Sequence, residues 1–164
     1  PEDRVEEAIT VFRSRYLTVG KFENVPYSGI AEMLGRLKAH GHRLYVATSK
    51  PESTAVEILD KFELSPYFTR ICGASMDSGR DSKEAVIAYL LELEGCREKT
   101  VMVGDTAFDV IGAAAHQIPT IGVSWGYGDV GAMLEAGAVA IAHSTEELEA
   151  LLTQEMLHST TKIF

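Results

Sequence analysis

Three strand ends in this chain carry side chains suited to chemistry. The clearest lies in Thr100 to Asp109 (TVMVGDTAFD). Val101, Met102 and Val103 form a short apolar run, the pattern of a strand buried on both faces. Gly104 stops it, Asp105 follows at the strand end, and Asp109 comes one helical turn later. In open α/β sheets ligands bind outside the carboxyl ends of the strands. Two carboxylates there suit a hard, oxygen-seeking cation such as Mg2+, which takes one or two carboxylates, several waters and phosphate oxygens. The plainer alternative is that Asp105 caps the helix and Asp109 is a solvated first-turn acid. At the second strand end, Thr48-Ser49-Lys50 sets a hydroxyl and loop N–H groups before a helix N-terminus, which suits an anion; the same residues also read as an ordinary N-cap cluster. At the third, Lys83 opens a helix, where the dipole disfavours a cation. That marks it for a functional role, with a solvated surface lysine as the ordinary alternative. A hydroxyl donor, a cation and a metal-binding pair are the parts phosphoryl transfer uses, since that chemistry is mostly positioning and charge stabilisation.

The elements that must position these groups alternate along the chain. Val5, Ala8, Ile9, Phe12 and Tyr16 recur at helical spacing in 1–20. Tyr27 to His40 is predicted as a helix stopped by Gly41, then Arg43 to Thr48 as a strand, and Glu52 to Phe62 as a helix with Pro51 at its start. Phe68 to Gly73 is a strand, Asp81 or Ser82 caps a helix to Glu94, and Thr100 to Gly104 is the next strand. A helix over 107–115, a strand from Pro119 to Trp125, a short helix from Val130 to Ala136, a strand from Ala138 to Ala142 and a helix capped by Ser144 complete the pattern, with Glu147 three residues on. The stretch from Thr153 to Phe164 carries few signals and is expected to fray. Short apolar strands alternating with helices predict a doubly wound α/β domain with a parallel sheet. The first helix stands outside that alternation and reads as part of a separate helical piece.

Composition narrows the classes. A hydrophobic fraction of 46% with 24% charged residues is that of an ordinary globular domain with a real core. A net charge of -9 argues against a nucleic-acid partner, because phosphate backbones select clustered Lys and Arg. The two cysteines, Cys72 and Cys96, lack metal-ligand spacing; a reduced, cytoplasmic setting is expected. No apolar run approaches the ~20 residues that span a bilayer. The five histidines show no ligand spacing, and the Glu92, Glu94, Glu98 and Glu146, Glu147, Glu149 groups read as solvated helix faces. Trp125 and Tyr127 flank Gly126 near the same sheet edge, where they line a site mouth or pack at its rim.

Thr48 ending LYVATSKP, Lys83 in DSKEAVI and Asp105 and Asp109 in GDTAFD resemble, in order and spacing, motifs two to four of the haloacid dehalogenase-like hydrolases. YSGIAEMLGRLKAHG, IGVSWGYG and AGAVAIAHSTEELEALL strengthen the resemblance, which runs from about Val25 to Leu152 and is nearest the phosphoglycolate-phosphatase-like branch. It implies a Rossmann-like core with a helical cap inserted after the first strand. It implies that Thr48, assisted by Ser49, binds a phosphoryl oxygen, that Lys83 neutralises nucleophile and phosphate, and that Asp105 binds Mg2+ directly. Asp109 then supports the metal through water or by orienting the loop. The substrate implied is a small phosphorylated metabolite.

One part of the pattern is missing. The family's nucleophile is the first Asp of a DxDGT stretch on the central strand, between the strands that end at Thr48 and Asp105, and its second Asp is the general acid/base. No such stretch occurs here, and Asp3 and Asp77 lie off the apolar strands. The sheet is therefore expected to carry an unfilled slot with unpaired edges, which is costly. The chain, which begins at Pro1 directly in a helical pattern, reads as the carboxyl-terminal part of a larger hydrolase: 1–20 the last helix of the cap, 21–152 the core without its first strand, 153–164 a tail. The intact enzyme is expected to be a Mg2+-dependent phosphatase working through an aspartyl-phosphate, and the isolated chain to be inactive. Alternatives are a nucleotidase, a pyrophosphatase or a sugar phosphomutase of the same superfamily, or a non-catalytic phosphate-binding or interaction module. A response-regulator-like domain needs an acid at a strand end before Thr48, and none is present.

Overall fold

The computed structural model describes residues 2–75, 79–95, 100–154 and 162–164. Helix α1 spans Glu2–Thr18 and α2 spans Ile30–Ala39, with a 3-10 turn at 20–22 between them. Then come β1 (Arg43–Pro51), α3 (Glu52–Lys61), β2 (Phe68–Ala74), α4 (Lys83–Glu94), β3 (Thr100–Gly104) and α5 (Ala107–Ala114). The rest is β4 (Thr120–Val123), α6 (Val130–Glu135), β5 (Ala140–Ala142), α7 (Thr145–Gln154) and β6 (Lys162–Ile163).

All strand pairs are parallel, in the order β2-β1-β6-β3-β4-β5. Alternate residues of each strand face opposite layers. Leu44, Val101 and Ile163 pack with Leu34 and Leu37 of α2 and Leu148 and Leu152 of α7. Tyr45, Met102 and Phe164 pack on the other face with Ile87 and Leu90 of α4 and Ala113 of α5. This is the doubly wound parallel fold expected.

Local signals hold at most boundaries. Ser82 caps α4, its hydroxyl accepting the Ala85 N–H at 3.1 Å. Gly41 and Gly95 adopt positive φ after α2 and α4. At α7 the Ser144 hydroxyl accepts the Glu147 N–H, whereas the Glu147 carboxylate turns to the His143 N–H at 2.8 Å.

Two expectations are corrected. The slot between β1 and β3 is filled in part: β6 lies between them, with Arg43 opposite Lys162, Leu44 opposite Ile163, Thr100 opposite Lys162 and Val101 opposite Ile163, and the cavity lined by Val46, Ala47, Val103 and Gly104 occupies the rest. The Phe164 N–H donates to the Val101 carbonyl, and the Phe164 carbonyl accepts the Val103 N–H, each at 2.8 Å. Of the segment 153–164 expected to fray, 155–161 lie outside the described residues, and its last three residues sit in the middle of the sheet. These three residues are too short to show a period, but they satisfy two rows of backbone groups and bury two large apolar side chains, Ile163 and Phe164. Second, β1 runs past Thr48 to Pro51. Ala47 pairs with Cys72 and Pro51 with Ala74, so four steps on β1 oppose two on β2 and Thr48, Ser49 and Lys50 form a bulge.

Helix α1 leaves much of its apolar side open: Val5 is 59% and Phe12 66% exposed. It is joined to the core at its end, where the Lys21 ammonium pairs with Glu57 of α3 and Lys61 donates to the Phe22 carbonyl at 2.7 Å.

Candidate active site

A cavity of about 320 Å³ lies between β1 and β3; Lys83 of α4 and Asp109 of α5 line it, as do apolar residues of α2 and α7 such as Leu34 and Leu148. Its polar lining is Lys83, Asp105 and Asp109; Trp125 stands to one side and Phe164 at the base.

Lys83 and Asp109 are brought together because α4 and α5 lie side by side on one face of the sheet. The Lys83 ammonium sits 2.8 Å from Asp109 Oδ1 and donates to the Ala47 carbonyl at 2.7 Å. Neither residue is solvated in the ordinary way: the Asp109 side chain is 7% exposed and that of Lys83 16%. The second Asp109 oxygen, Oδ2, accepts the Asp105 N–H (3.1 Å), the Thr106 N–H (3.0 Å) and the Thr106 hydroxyl (2.9 Å). Thr106 is therefore the cap of α5 and Asp109 its reciprocal partner. The alternative in which Asp105 caps this helix does not hold.

Asp105 is freed from structural duty by that arrangement. Its Oδ2 accepts the Tyr127 N–H at 2.9 Å, and among the described residues no protein group bonds its Oδ1. The loop Gly126-Tyr127-Gly128 lies directly on Asp105. A Cβ at Gly126 would run into the Asp105 carboxylate, and one at Gly128 into the Asp105 carbonyl. Tyr127 points into solvent at 96% exposure, whereas Trp125 packs against the core and lines the cavity. The functional parts of this loop are thus its backbone N–H and its two glycines. The sequence signal was the glycine pair, which reads at first as a plain connector.

Thr48 and Ser49 stand just beyond Ala47, in the bulge of β1 and outside the cavity lining. The Thr48 hydroxyl accepts the Lys50 N–H at 3.2 Å. Ser49 is exposed. The structure therefore gathers Lys83, Asp105 and Asp109 in one cavity and holds Thr48 and Ser49 at its rim. The Ala47 carbonyl, which fixes the ammonium, had no signal, because a main-chain acceptor carries no residue type.

Among the described residues no group of three or more His, Cys, Asp or Glu is arranged to hold a metal ion. Of the two described carboxylates that line the cavity, Asp105 is the one with an uncommitted oxygen. That suits Mg2+, which keeps most of its waters and binds through one or two carboxylates plus substrate, and does not suit a metal that needs a full protein cage. Asp77 and Cys96 lie outside the described residues.

Residues 1–123 match the family model described as haloacid dehalogenase-like hydrolase. The chain belongs to that family. Among curated relatives it is 42% identical over 143 residues to the tyrosine-protein kinase PtkA of Mycobacterium tuberculosis, covering 87% of this chain and 49% of that one. It is 41% identical over 128 residues to a 5'-nucleotidase of Pseudomonas aeruginosa, covering 77% and 58%. It is 33% identical over 131 residues to a phosphoglycolate phosphatase of Agrobacterium fabrum, covering 79% and 56%. The crystal structure of a predicted phosphatase from Clostridium acetobutylicum superimposes with a TM-score of 0.87 at 38% identity, covering 94% of this chain and 72% of that one. The chain spans about half the length of the curated relatives it matches.

Proposed function

We propose that this haloacid dehalogenase-like chain is the phosphate- and metal-binding core of a Mg2+-dependent phosphatase acting on small phosphate monoesters. The observation that carries the reading is the convergence of the Lys83 ammonium with Asp105 and Asp109 in one cavity at the carboxyl ends of β1 and β3. The family membership and the phosphatases among the relatives support it. Under this reading Asp105 holds Mg2+ directly. Bound Mg2+ supplies charge neutralisation at phosphate oxygens. Asp109 keeps Lys83 and the β3–α5 loop in place. Lys83 offsets the negative charge of phosphate and nucleophile, and Thr48, with Ser49 beside it, hydrogen-bonds a phosphoryl oxygen from the rim.

The reaction is displacement at phosphorus. A carboxylate oxygen attacks, the ester P–O bond breaks, and the departing alkoxide takes a proton from a neighbouring acid. Water then cleaves the acyl phosphate, releasing orthophosphate and restoring the carboxylate. Among the described residues the carboxylates lining the cavity are Asp105 and Asp109, both already assigned. The 164-residue chain is therefore proposed to bind and not to turn over. A cytoplasmic setting and α1 as the last helix of a cap belong to the same proposal. In the described residues no helix is long and apolar enough to cross a membrane.

The test is a titration of the purified chain with Mg2+ and orthophosphate, followed by calorimetry and by the 31P line width of phosphate. Binding is expected, with Asp105→Asn weakening Mg2+ and Lys83→Gln weakening phosphate. Unchanged binding in both variants defeats the site assignment. Mg2+-dependent hydrolysis of p-nitrophenyl phosphate by the purified chain defeats the claim that it does not turn over.

A further inference from the structure

A second cavity, of about 330 Å³, adjoins the first, and Trp125 lines both. Its walls come from the turn before α2, the loop after β4 and the start of α7: Tyr27 and Ser28, Trp125, and His143 with Glu146. These walls are fixed against one another. Gly29 takes a left-handed φ of 80° and brings the turn onto α7, where a Cβ on it would stand 2.9 Å from the Thr145 hydroxyl. Arg36 of α2 grips both carboxylate oxygens of Glu149 on α7, at 2.7 to 3.0 Å. The Ser124 N–H donates to the Ala142 carbonyl at 3.0 Å, and the Ser124 hydroxyl meets His143 Nδ1 at 2.9 Å, so the imidazole is keyed to the residue before Trp125. Small-molecule sites are commonly preformed in this way.

The lining chemistry is selective. Among the described residues no lysine or arginine lines this cavity, whereas Glu146 does. Its own N–H and the Ser144 and Thr145 hydroxyls hold the Glu146 carboxylate below the usual carboxylate range, so it stays ionised at neutral pH. That carboxylate already occupies the start of α7, where the helix dipole would otherwise attract an anion. A second anion entering here meets a negative charge and no lysine or arginine. What remains is two aromatic side chains, Tyr27 and Trp125, and neutral polar groups: the Ser28 hydroxyl and His143, whose Nε2 bonds no protein group among the described residues. Aromatic side chains bury an apolar ring face. Hydroxyls and a neutral imidazole both give and accept hydrogen bonds.

We infer that this second cavity takes the leaving group of the phosphate ester, and that the leaving group is a neutral, hydroxyl-bearing ring of sugar size. Ser28 and His143 are its specificity-determining residues, and Glu146 excludes leaving groups that carry a carboxylate. The inference rests on the phosphatase reading above. Lys83 and Asp105, the proposed phosphate and metal ligands, line one cavity and Ser28 and His143 the other, with Trp125 common to both.

Trp125 is the chain's only tryptophan, so its emission reports on the boundary between the two cavities. The purified chain is titrated at pH 8, where an ordinary imidazole is neutral, with Mg2+ and in turn orthophosphate, ribose 5-phosphate, uridine 5'-monophosphate and 2-phosphoglycolate. Calorimetry and Trp125 emission are the readouts. At least one of the two ribose esters is expected to bind about tenfold tighter than orthophosphate, the worth of one or two neutral hydrogen bonds, and 2-phosphoglycolate no tighter than orthophosphate. Tighter binding of the sugar phosphate marks a free sugar as the occupant, and tighter binding of the nucleotide marks the ribose of a nucleoside. Ser28→Ala combined with His143→Ala is expected to erase the advantage over orthophosphate. Glu146→Gln is expected to improve 2-phosphoglycolate relative to orthophosphate, a gain that misfolding does not produce. Orthophosphate binding with no advantage for either ribose ester, or an advantage that survives both alanine substitutions, overturns the inference and leaves the phosphatase reading standing. Absence of binding by orthophosphate and by every ester defeats that reading, and this inference with it.

Discussion

Asp105 and Asp109 are the same residue type four positions apart, and the structure gives them opposite tasks. Asp109 is buried, ion-paired with Lys83 and bonded to three donors of the following loop. Asp105 keeps one oxygen uncommitted at the cavity. Removing one partner of a buried pair strands the other charge, so Asp109→Ala is expected to lower unfolding free energy in urea by about 3 kcal/mol. Asp105→Asn keeps an acceptor for the Tyr127 N–H, and its stability is expected to stay within about 0.5 kcal/mol of the parent, while Mg2+ binding is lost. Equal stability losses in the two variants would contradict this division.

Two buried groups on the layer opposite α2 set an alkaline limit. Burial pushes the Cys72 thiol up to about 11. Burial, with the Glu94 carboxylate as hydrogen-bond partner at 2.7 Å, pushes the Tyr45 phenol up to about 12. Both values lie above those of the unfolded chain, so between pH 9 and 12 the folded state holds protons the unfolded state has released. Stability is therefore full below pH 9 and falls as pH rises through that window. The urea midpoint is expected to drop between pH 8 and pH 10.5, and Cys72→Ala to lessen the drop.

At the scale of elements, the site is a junction of four pieces: the bulge of β1, the start of α4, the β3–α5 loop and the glycine loop after β4. Each is shaped by a local rule, such as the Ser82 cap of α4 or the Thr106–Asp109 box of α5. The glycine loop shows how closely they fit, since a methyl group at position 126 has no room beside the Asp105 carboxylate. Gly126→Ala is expected to lift the loop, break the Tyr127–Asp105 hydrogen bond and weaken Mg2+ binding in calorimetry without unfolding the sheet. Wild-type affinity in that variant would show that the loop does not position Asp105.

For the whole molecule, the decisive element is the smallest. β6 joins the half of the sheet built on β1 and β2 to the half built on β3, β4 and β5. Its side chains enter both core layers, Ile163 on one face and Phe164 on the other. Phe164→Ala removes a buried ring at that seam and is expected to cost about 3–5 kcal/mol in urea unfolding. A cost below about 1 kcal/mol would mean that the two halves hold together without it.

Much of this was legible in the residues. The α/β alternation, the caps at Ser82 and Ser144 and the stop at Gly41 depend on neighbours within a few positions, and the chain states them directly. The place of Asp105 at a strand end and of Asp109 in the helix that follows was readable because an apolar run stops there, whereas Thr48, expected at a strand end, lies in the bulge of β1. Which carboxylate would be buried was not readable, because the Lys83 partner comes from a helix 26 positions away in sequence, between Lys83 and Asp109. The bulge was hidden for the same kind of reason: it exists only relative to the β2 register. Least legible was β6. Two or three residues carry no period and little propensity; a strand so short is defined by the edges waiting on either side. Local sequence determined the helices, the strands and the chemistry at their ends. Tertiary structure alone decided that Lys162–Phe164 would bridge the sheet, because backbone groups of β1 and β3 could be satisfied only by pairing across the gap between them.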